Sequence, residues 1–116
     1  MKLYKTTSDQ AELVVPNLEV AEGFFSRARG LLGRAHLPAE SGLWIKPCNN
    51  IHTFFMKFAI DCVFLDKKMC INRIEADVKP YKIVGPFWKA VSVIELKSGT
   101  AETKNLKIGD QLYVVS

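Results

Sequence analysis

Imidazole, thiol and carboxyl groups that could do chemistry are concentrated between residues 47 and 61, among large apolar side chains. His52 follows Cys48 closely and precedes Asp61 in the same segment. A histidine can act as a general base when a carboxylate lies beside it, because the carboxylate raises the pKa of the imidazole. Asp61 is the acidic residue nearest to His52 in sequence, so the segment predicts either a binding pocket or a proton-transfer site.

The environment of His52 decides between these roles. We expect residues 51–57 to form a strand, in which alternate side chains share a face. His52 then lies on the same face as three apolar side chains, those of Phe54, Met56 and Phe58. A histidine on an apolar face is most often a hydrogen-bonded core residue, and the alternatives are a general-base or binding role and metal ligation. Phe54 and Met56 either wall a pocket or belong to the core.

Two carboxylates have alternative interpretations. Asp61 opens the next strand, where it either caps backbone N–H groups or acts as an acid paired with His52 or Arg29. Glu95 interrupts the apolar strand expected over residues 90–97. A buried Glu95 needs a cation, for which Arg29 and His52 are the candidates, whereas an edge strand would expose it to solvent.

The three cysteines, Cys48, Cys62 and Cys70, are an odd number without a close pair. This spacing fits neither a disulfide framework nor a zinc site. Cys62 and Cys70 lie in apolar runs and are expected in the core, whereas Cys48 is expected to be accessible. A Cys48–His52 dyad lacks a recognisable catalytic motif. Because phosphate-binding glycine loops and metalloprotease helix motifs are absent too, no cofactor and no metal are predicted.

Apolar periodicity predicts a β-rich fold around these residues. One helix is expected over residues 22–32, and its apolar face comprises Phe24, Ala28, Leu31 and Leu32. The expected strands are residues 2–6, 11–20, 42–46, 51–57, 60–65, 69–76, 81–84, 90–97 and 110–115, and a short helical turn is expected within residues 100–107. The fold class is therefore mainly β (α+β), as a small antiparallel β-sandwich or partly closed barrel with one packed helix. A parallel α/β fold is disfavoured because parallel strands need crossover connections.

The chain has 116 residues and a net charge of +4, which fits a single domain spanning residues 1–116. Its basic residues are spread out, whereas nucleic-acid surfaces concentrate them, so no nucleic-acid partner is expected. No stretch approaches the ~18 apolar residues that cross a bilayer, and the N-terminus lacks the apolar core of a signal peptide. We therefore expect a cytoplasmic protein and a monomer, with an envelope location only if a leader has been removed.

Several segments resemble the DUF192 family of small bacterial and archaeal proteins, over about residues 12–115. They are residues 27–34 (RARGLLGR), 40–44 (ESGLW), 48–66 (CNNIHTFFMKFAIDCVFLD), 93–99 (VIELKSG) and 108–110 (IGD). The resemblance implies a β-rich, sandwich-like domain with one helix and no established activity. By the same resemblance, the family's characteristic polar positions fall on Arg29, His52, Thr53, Asp61 and Glu95.

Three functions are compatible with this pattern. The favoured one is a non-catalytic accessory domain that binds a small molecule or a protein segment in a pocket near His52, Met56 and Asp61. The second is a small hydrolase-like or lyase-like enzyme in which His52 is the general base. Asp61 or Glu95 would orient that base, and Arg29 would bind an anion. In the third, the polar cluster only holds the fold, so whether the protein is an enzyme stays open.

Overall fold

Ten strands and two short helices make up the protein in a computed structural model that describes residues 1–116. The strands are β1 (Lys2–Thr6), β2 (Ala11–Val15), β3 (Asn17–Ala21), β4 (Ser41–Ile45), β5 (Ile51–His52), β6 (Ile60–Leu65), β7 (Ile71–Val78), β8 (Ile83–Val84), β9 (Ser92–Lys97) and β10 (Gln111–Val115). The helices are α1 (Phe24–Arg29) and α2 (Thr100–Thr103). The mainly β fold class is confirmed, and α2 is the expected short helical turn. Neither helix has the length and apolar character needed to cross a membrane.

The strands form stacked sheets that do not close into a barrel. A central five-stranded sheet has the order β3-β4-β9-β6-β7, a second sheet has the order β10-β1-β2, and β5 pairs with β8. All pairs are antiparallel except β3 with β4. This one parallel pair departs from the antiparallel sandwich that was predicted, and residues 22–40 provide the long crossover that parallel neighbours require.

Pro16 divides the single strand expected over residues 11–20. Proline has no N–H to give to a strand ladder. The chain before it, β2, pairs with β1, and the chain after it, β3, joins the central sheet through β4. The other predicted strands agree with the structure to within two residues at each end, apart from residues 51–57.

The central sheet has a hydrophobic core on each face, because side chains alternate along a strand. On β6, Cys62 and Phe64 face one core and Val63 and Leu65 face the other. The second of these cores fills the space against the three-stranded sheet. The first lies beneath the turn after α1 and the β5–β8 pair. Because both faces of β6 are covered, all six of its residues are buried.

Helix α1 is shorter and more exposed than the helix predicted over residues 22–32. It ends at Gly30, whose φ of 49° lies in the left-handed region, and none of its residues is buried. Phe24, expected on the apolar face, is 71% exposed. Leu31 reaches the core from beyond the helix end. The prediction of one packed helix is therefore wrong in three respects: the helix is shorter, it is not packed in the core, and there are two helices. The helix ends early because glycine readily adopts the φ values that end a helix.

The strand expected over residues 51–57 ends at His52. From Thr53 onward the chain turns, because the Thr53 N–H donates to the carbonyl oxygen of Lys82 at 2.9 Å. The Thr53 hydroxyl also donates to the carbonyl oxygen of Lys79 at 2.6 Å. The alternation that would place His52 on a shared apolar face is therefore wrong, and its side chain is exposed.

The three cysteines are free thiols. Cys62 lies in the core as predicted, and Cys48 is half-buried. Cys70 was expected in the core but is only half-buried. It precedes β7 at an isolated bridge, where its Sγ donates to Oε1 of Gln111 at 3.1 Å.

Candidate functional site

A cleft of about 640 Å³ lies between α1 and the segment that leads into β5. Residues 27–32 form one wall and residues 47–52 form another. The central sheet contributes Ile45 and Glu95, and ten of the eighteen lining residues are hydrophobic. The cleft is therefore a mainly apolar recess with a single acidic side chain in its lining.

Glu95 is buried because it lies on β9, in the middle of the central sheet. It sits opposite Leu43 of β4 and Cys62 of β6, and its relative exposure is 3%. Its Oε1 is buried without a hydrogen-bond partner. Burial raises the pKa of the Glu95 carboxyl from 4.5 to about 7, and the positive charge of Arg34 opposes this rise. The interpretation of Glu95 as an exposed residue of an edge strand is therefore wrong.

Gly30 brings the turn after α1 close to this carboxyl. A methyl group added at Gly30 would lie 3.8 Å from Oε1 of Glu95, which is ordinary van der Waals contact. The turn thus screens one side of the carboxyl from solvent, while the carboxyl still lines the cleft.

The three arginines near the cleft have different partners. Arg27 is tied to the backbone, because it donates to the carbonyl oxygens of Glu22 at 3.2 Å and Pro47 at 3.1 Å. Arg34 pairs with Glu19 at 2.6 Å. Arg29 lines the cleft and has no such partner within the chain, so its guanidinium is free to meet a ligand. Neither Arg29 nor His52 supplies the cation expected to pair with Glu95.

Cys48 lines the cleft as a protonated thiol. Its Sγ donates to the carbonyl oxygen of Asn50 at 2.9 Å. Burial is the main cause that raises the pKa of the Cys48 thiol, and the negative charge of Glu95 adds to it. Burial also raises the pKa of the Cys62 thiol, which lies on β6 opposite Glu95. A thiolate is the reactive form of cysteine, so neither residue is set up as a nucleophile.

His52 and Met56 both line the cleft, but in different environments. His52 is exposed at the end of β5, and its ring centroid lies 5.4 Å from that of Phe54. Its interpretation as a core histidine is therefore wrong. Met56 is buried and belongs to the core cluster beneath α1, so it forms an apolar part of the wall.

Asp61 lies outside the cleft and holds the fold. Its carboxylate is 1% exposed and accepts three backbone N–H groups, from Asp77 at 2.8 Å, Gly99 at 3.0 Å and Ala101 at 2.9 Å. These bonds join β6 to β7 and to the start of α2. The prediction that Asp61 and His52 share a pocket is therefore wrong. The alternative prediction, that Asp61 caps backbone N–H groups, agrees with the structure.

Thr53 also lies outside the cleft lining. It is fully buried, and its hydroxyl accepts the N–H of Lys82 at 2.9 Å while donating to the carbonyl oxygen of Lys79. Thr53 therefore fastens the turn after β5 to the turn before β8. Of the six predicted site residues, the structure brings four to the cleft, which are Arg29, His52, Met56 and Glu95.

Sequence reasoning missed the apolar walls of the cleft. Ile45, just before residues 47–61, lines it, and so do Ala90 and Val91, which lie far from that segment in sequence. Nothing in their apolar runs distinguishes them from ordinary core residues, so no local signal could have found them. No three of the chain's His, Cys, Asp and Glu side chains converge in a group suited to hold a metal ion.

Comparison with known proteins identifies relatives along nearly the whole chain. The model of the DUF192 family, described as "Uncharacterized ACR", matches residues 4–114. A UPF0127 protein of Pyrococcus abyssi is 30% identical over 100 residues, which cover 82% of this chain and 83% of that protein. A UPF0127 protein of Thermococcus sibiricus is 30% identical over 103 residues, which cover 82% of this chain and 64% of that protein.

Two crystal structures share the fold. One is a protein of unknown function from Novosphingobium aromaticivorans, with a TM-score of 0.85 and 20% identity, covering 98% of this chain and 84% of that one. The other, from Sinorhizobium meliloti, is described as a proposed transcription regulator. It has a TM-score of 0.83 and 19% identity, covering 97% of this chain and 91% of that one. At these identities the likeness shows the fold alone.

Proposed function

Because the chain belongs to the DUF192 family, whose function is uncharacterised, we propose a function from the chemistry of the cleft. We propose that the protein is a non-catalytic binding domain for a small molecule with an apolar body and a protonated amine. Glu95 accepts the amine, and the apolar walls enclose the body. Apolar amino acids are the class that fits best.

The observation that carries this proposal is the unpartnered carboxyl of Glu95. Its Oε1 is buried without a donor, and burial raises its pKa to about 7. A buried acceptor left unpaired costs about 1–3 kcal/mol, and more when it is charged. Such a group weakens the fold by itself. A ligand ammonium within hydrogen-bond distance would offset that cost, so the same carboxyl would contribute affinity.

Two further features narrow the class of ligand. Most lining residues are hydrophobic, as expected for a site that buries an apolar body. The free guanidinium of Arg29 is suited to a carboxylate, which it can bind through two parallel hydrogen bonds. A zwitterion with an apolar side chain supplies both the amine for Glu95 and the carboxylate for Arg29.

Several features favour binding over a hydrolase or lyase. His52 is exposed and packs against the ring of Phe54, whereas an efficient general base is oriented by a carboxylate. Asp61, its expected partner, is already satisfied by three backbone N–H groups. Cys48 is a weak nucleophile, because burial raises the pKa of its thiol.

A set of matched ligands tests the proposal. Leucine, isoamylamine and isocaproate share one apolar body, but only leucine carries both charged groups. Each is titrated into isotope-labelled protein while the backbone amide NMR signals are followed. We expect leucine to shift the signals of Gly30, Glu95 and residues 48–52. Isoamylamine should bind more weakly, and isocaproate should not bind.

Glu95→Gln should weaken leucine binding at least about tenfold, which corresponds to about 1.4 kcal/mol. Glu75→Gln, the same change at a half-buried position of β7 paired with Arg73, is the matched control and should leave binding unchanged. Shifts that cluster away from the cleft, or equal affinity in Glu95→Gln and wild type, would refute the proposal. Valine and phenylalanine are tested beside leucine. The proposal would also be refuted if neither of them shifted the signals of residues at the cleft.

A further inference from the structure

An exposed aromatic patch lies beside the cleft, on the turns that follow β5 and precede β8. It consists of Phe54, Phe55, Tyr81 and Ile83. Phe55 is 74% exposed, Tyr81 is 63% exposed and Ile83 is 70% exposed. The Tyr81 ring lies 5.8 Å from that of Phe55 and 6.3 Å from that of Phe54. The rings of Phe54, Phe55 and Tyr81 therefore form one cluster that reaches solvent, and the exposed Ile83 follows Tyr81 closely in the chain.

The two turns are held rigidly enough to present this patch. Thr53 joins them through its N–H and hydroxyl, and its carbonyl oxygen accepts the Tyr81 N–H at 2.9 Å. Phe55 and Tyr81 both have a φ of 65°. Bulky residues rarely adopt this left-handed conformation, which persists only where surrounding contacts impose it and which is concentrated at functional sites. The fold thus holds two aromatic side chains outward at a conformational cost.

The two chain segments that carry the patch contain lysines but no acidic residues. Residues 49–60 contain no Asp or Glu, and neither do residues 78–94. Together they carry four exposed lysines, which are Lys57, Lys79, Lys82 and Lys89. Lys79 is paired with Asp77 at 2.9 Å, and the other three form no ion pair within the chain. The segments that carry the aromatic patch are therefore basic, with three lysines left unpaired.

We propose that the aromatic patch and its lysines dock onto an anionic phospholipid bilayer. Aromatic side chains are favoured at the headgroup level of a membrane, and lysines beside them are attracted to anionic headgroups. A standard protein interface uses about 20–30 residues a side, far more than the patch offers, whereas a few side chains on turn tips suffice to enter a bilayer surface. The aliphatic Ile83 in the patch also fits acyl chains better than stacked nucleic-acid bases. This inference does not depend on what the cleft binds.

Cosedimentation with vesicles tests the proposal on the intact chain. Vesicles of phosphatidylcholine with about 30% phosphatidylserine should bind the protein, and vesicles of phosphatidylcholine alone should not. Phe55→Ala should weaken binding about tenfold, because it removes a large apolar side chain from the contact. The pair Lys57→Gln with Lys82→Gln should weaken binding roughly 25-fold, at about fivefold per lysine. All three side chains are exposed, and circular dichroism checks that the variants remain folded.

Ile108→Ala and Lys104→Gln are the matched controls, because both residues are exposed and lie outside the patch. They should leave vesicle binding unchanged. Equal binding to neutral and anionic vesicles, or equal losses in patch and control variants, would overturn the proposal. The proposal would also be wrong if the protein bound neither kind of vesicle. It would be wrong as well if a single-stranded oligonucleotide displaced the vesicles from the patch.

Discussion

Replacing Glu95 by glutamine should make the protein more stable at mildly alkaline pH and leave its stability unchanged at acidic pH. The substitution keeps the size of the side chain and removes its ability to ionise. Glu95 is buried in the central sheet and lacks a partner for Oε1, so ionisation of its carboxyl is unfavourable in the folded protein. The stability of the wild type therefore depends on the protonation of this one group.

The magnitude follows from the pKa. Burial raises the pKa of Glu95 from 4.5 to about 7, and each tenfold difference in proton affinity corresponds to about 1.4 kcal/mol. Below a pH of about 4.5 the group is protonated in both the folded and the unfolded chain and costs nothing. Above a pH of about 7 it is ionised in both, and the folded state bears the full penalty. The free energy of unfolding should thus fall by about 3 kcal/mol across this interval.

Urea denaturation measured in steps between about pH 5 and pH 8 provides the assay. Other groups with altered pKa values titrate outside this interval. The pKa of Asp77 is lowered, chiefly by its hydrogen bond with Lys79, so Asp77 acts at more acidic pH. The thiol pKa values of Cys48 and Cys62 are raised from 9.0, so these residues act at more alkaline pH. The difference between wild type and Glu95→Gln therefore isolates Glu95.

We expect Glu95→Gln to exceed the free energy of unfolding of wild type by only about 1 kcal/mol near pH 5 and by about 3 kcal/mol near pH 8. Glu75→Gln should stay within about 0.5 kcal/mol of wild type throughout, because Glu75 is only half-buried and water reaches its carboxylate. If the two Gln variants behave alike, or if Glu95→Gln is the less stable protein near pH 8, then Glu95 has a partner or reaches water. The description of it as a buried, unpaired carboxyl would then be wrong.

Changes at Asp61, Cys62 and Gly85 test three other contacts of the fold. Asp61→Ala should lower the free energy of unfolding by at least about 3 kcal/mol in urea, because three backbone N–H groups lose their acceptor; a loss below about 1 kcal/mol would show that water replaces it. Cys62 should resist thiol reagents at about pH 8 until the protein is unfolded, since it is fully buried and its pKa is raised. Mass spectrometry measures the labelling, and modification of Cys62 in the folded protein would contradict its burial. Gly85→Ala should destabilise by about 2 kcal/mol or more in thermal unfolding, because φ is 93° and the added methyl would lie 2.7 Å from the carbonyl oxygen of Asn49; an unchanged melting temperature would contradict that contact.

Strands with strong apolar runs bounded by turn residues could be predicted from the sequence. Residues 60–65 are a strand at the predicted bounds, and both of their faces are apolar apart from Asp61, because the strand is covered on both sides. Asp66 begins the turn that follows, where its carboxylate accepts the N–H groups of Lys68 and Cys70. Local chemistry determines these features, so local patterns indicate them.

Residues 51–57 could not be predicted in the same way. Their alternating side chains favour a strand, and no proline or glycine interrupts them. The turn depends on bonds from Thr53 to Lys79 and Lys82, which lie 26 and 29 residues away in the chain. Such long-range hydrogen bonds override local propensity, which is weak and depends on context.

The sequence indicated which types of residue form the candidate site, but not which of them lie together in the folded protein. The burial of Glu95 depends on the central place of β9 in the sheet, and strand order is set by long-range pairing. Asp61 carries the same functional group but accepts hydrogen bonds from backbone N–H groups. The pattern of side chains does not indicate such bonds, because nearly every residue has a backbone N–H. Two carboxylates of similar appearance in the sequence thus have opposite environments, one satisfied and the other unpaired.

Direct titration of the Glu95 side chain shows whether this buried carboxyl is unpaired in the free protein and whether it binds the ligand. Carbon NMR of protein with isotope-labelled glutamate carboxyl groups, assigned by comparison with Glu95→Gln, reports its midpoint. We expect a midpoint near 7 in the free protein, and a lower midpoint once the cleft is saturated with leucine, because the amine binds the ionised carboxylate. A midpoint at the ordinary value of 4.5 would show that the carboxyl is already solvated or paired, and a midpoint that leucine leaves unmoved would show that the cleft does not use Glu95.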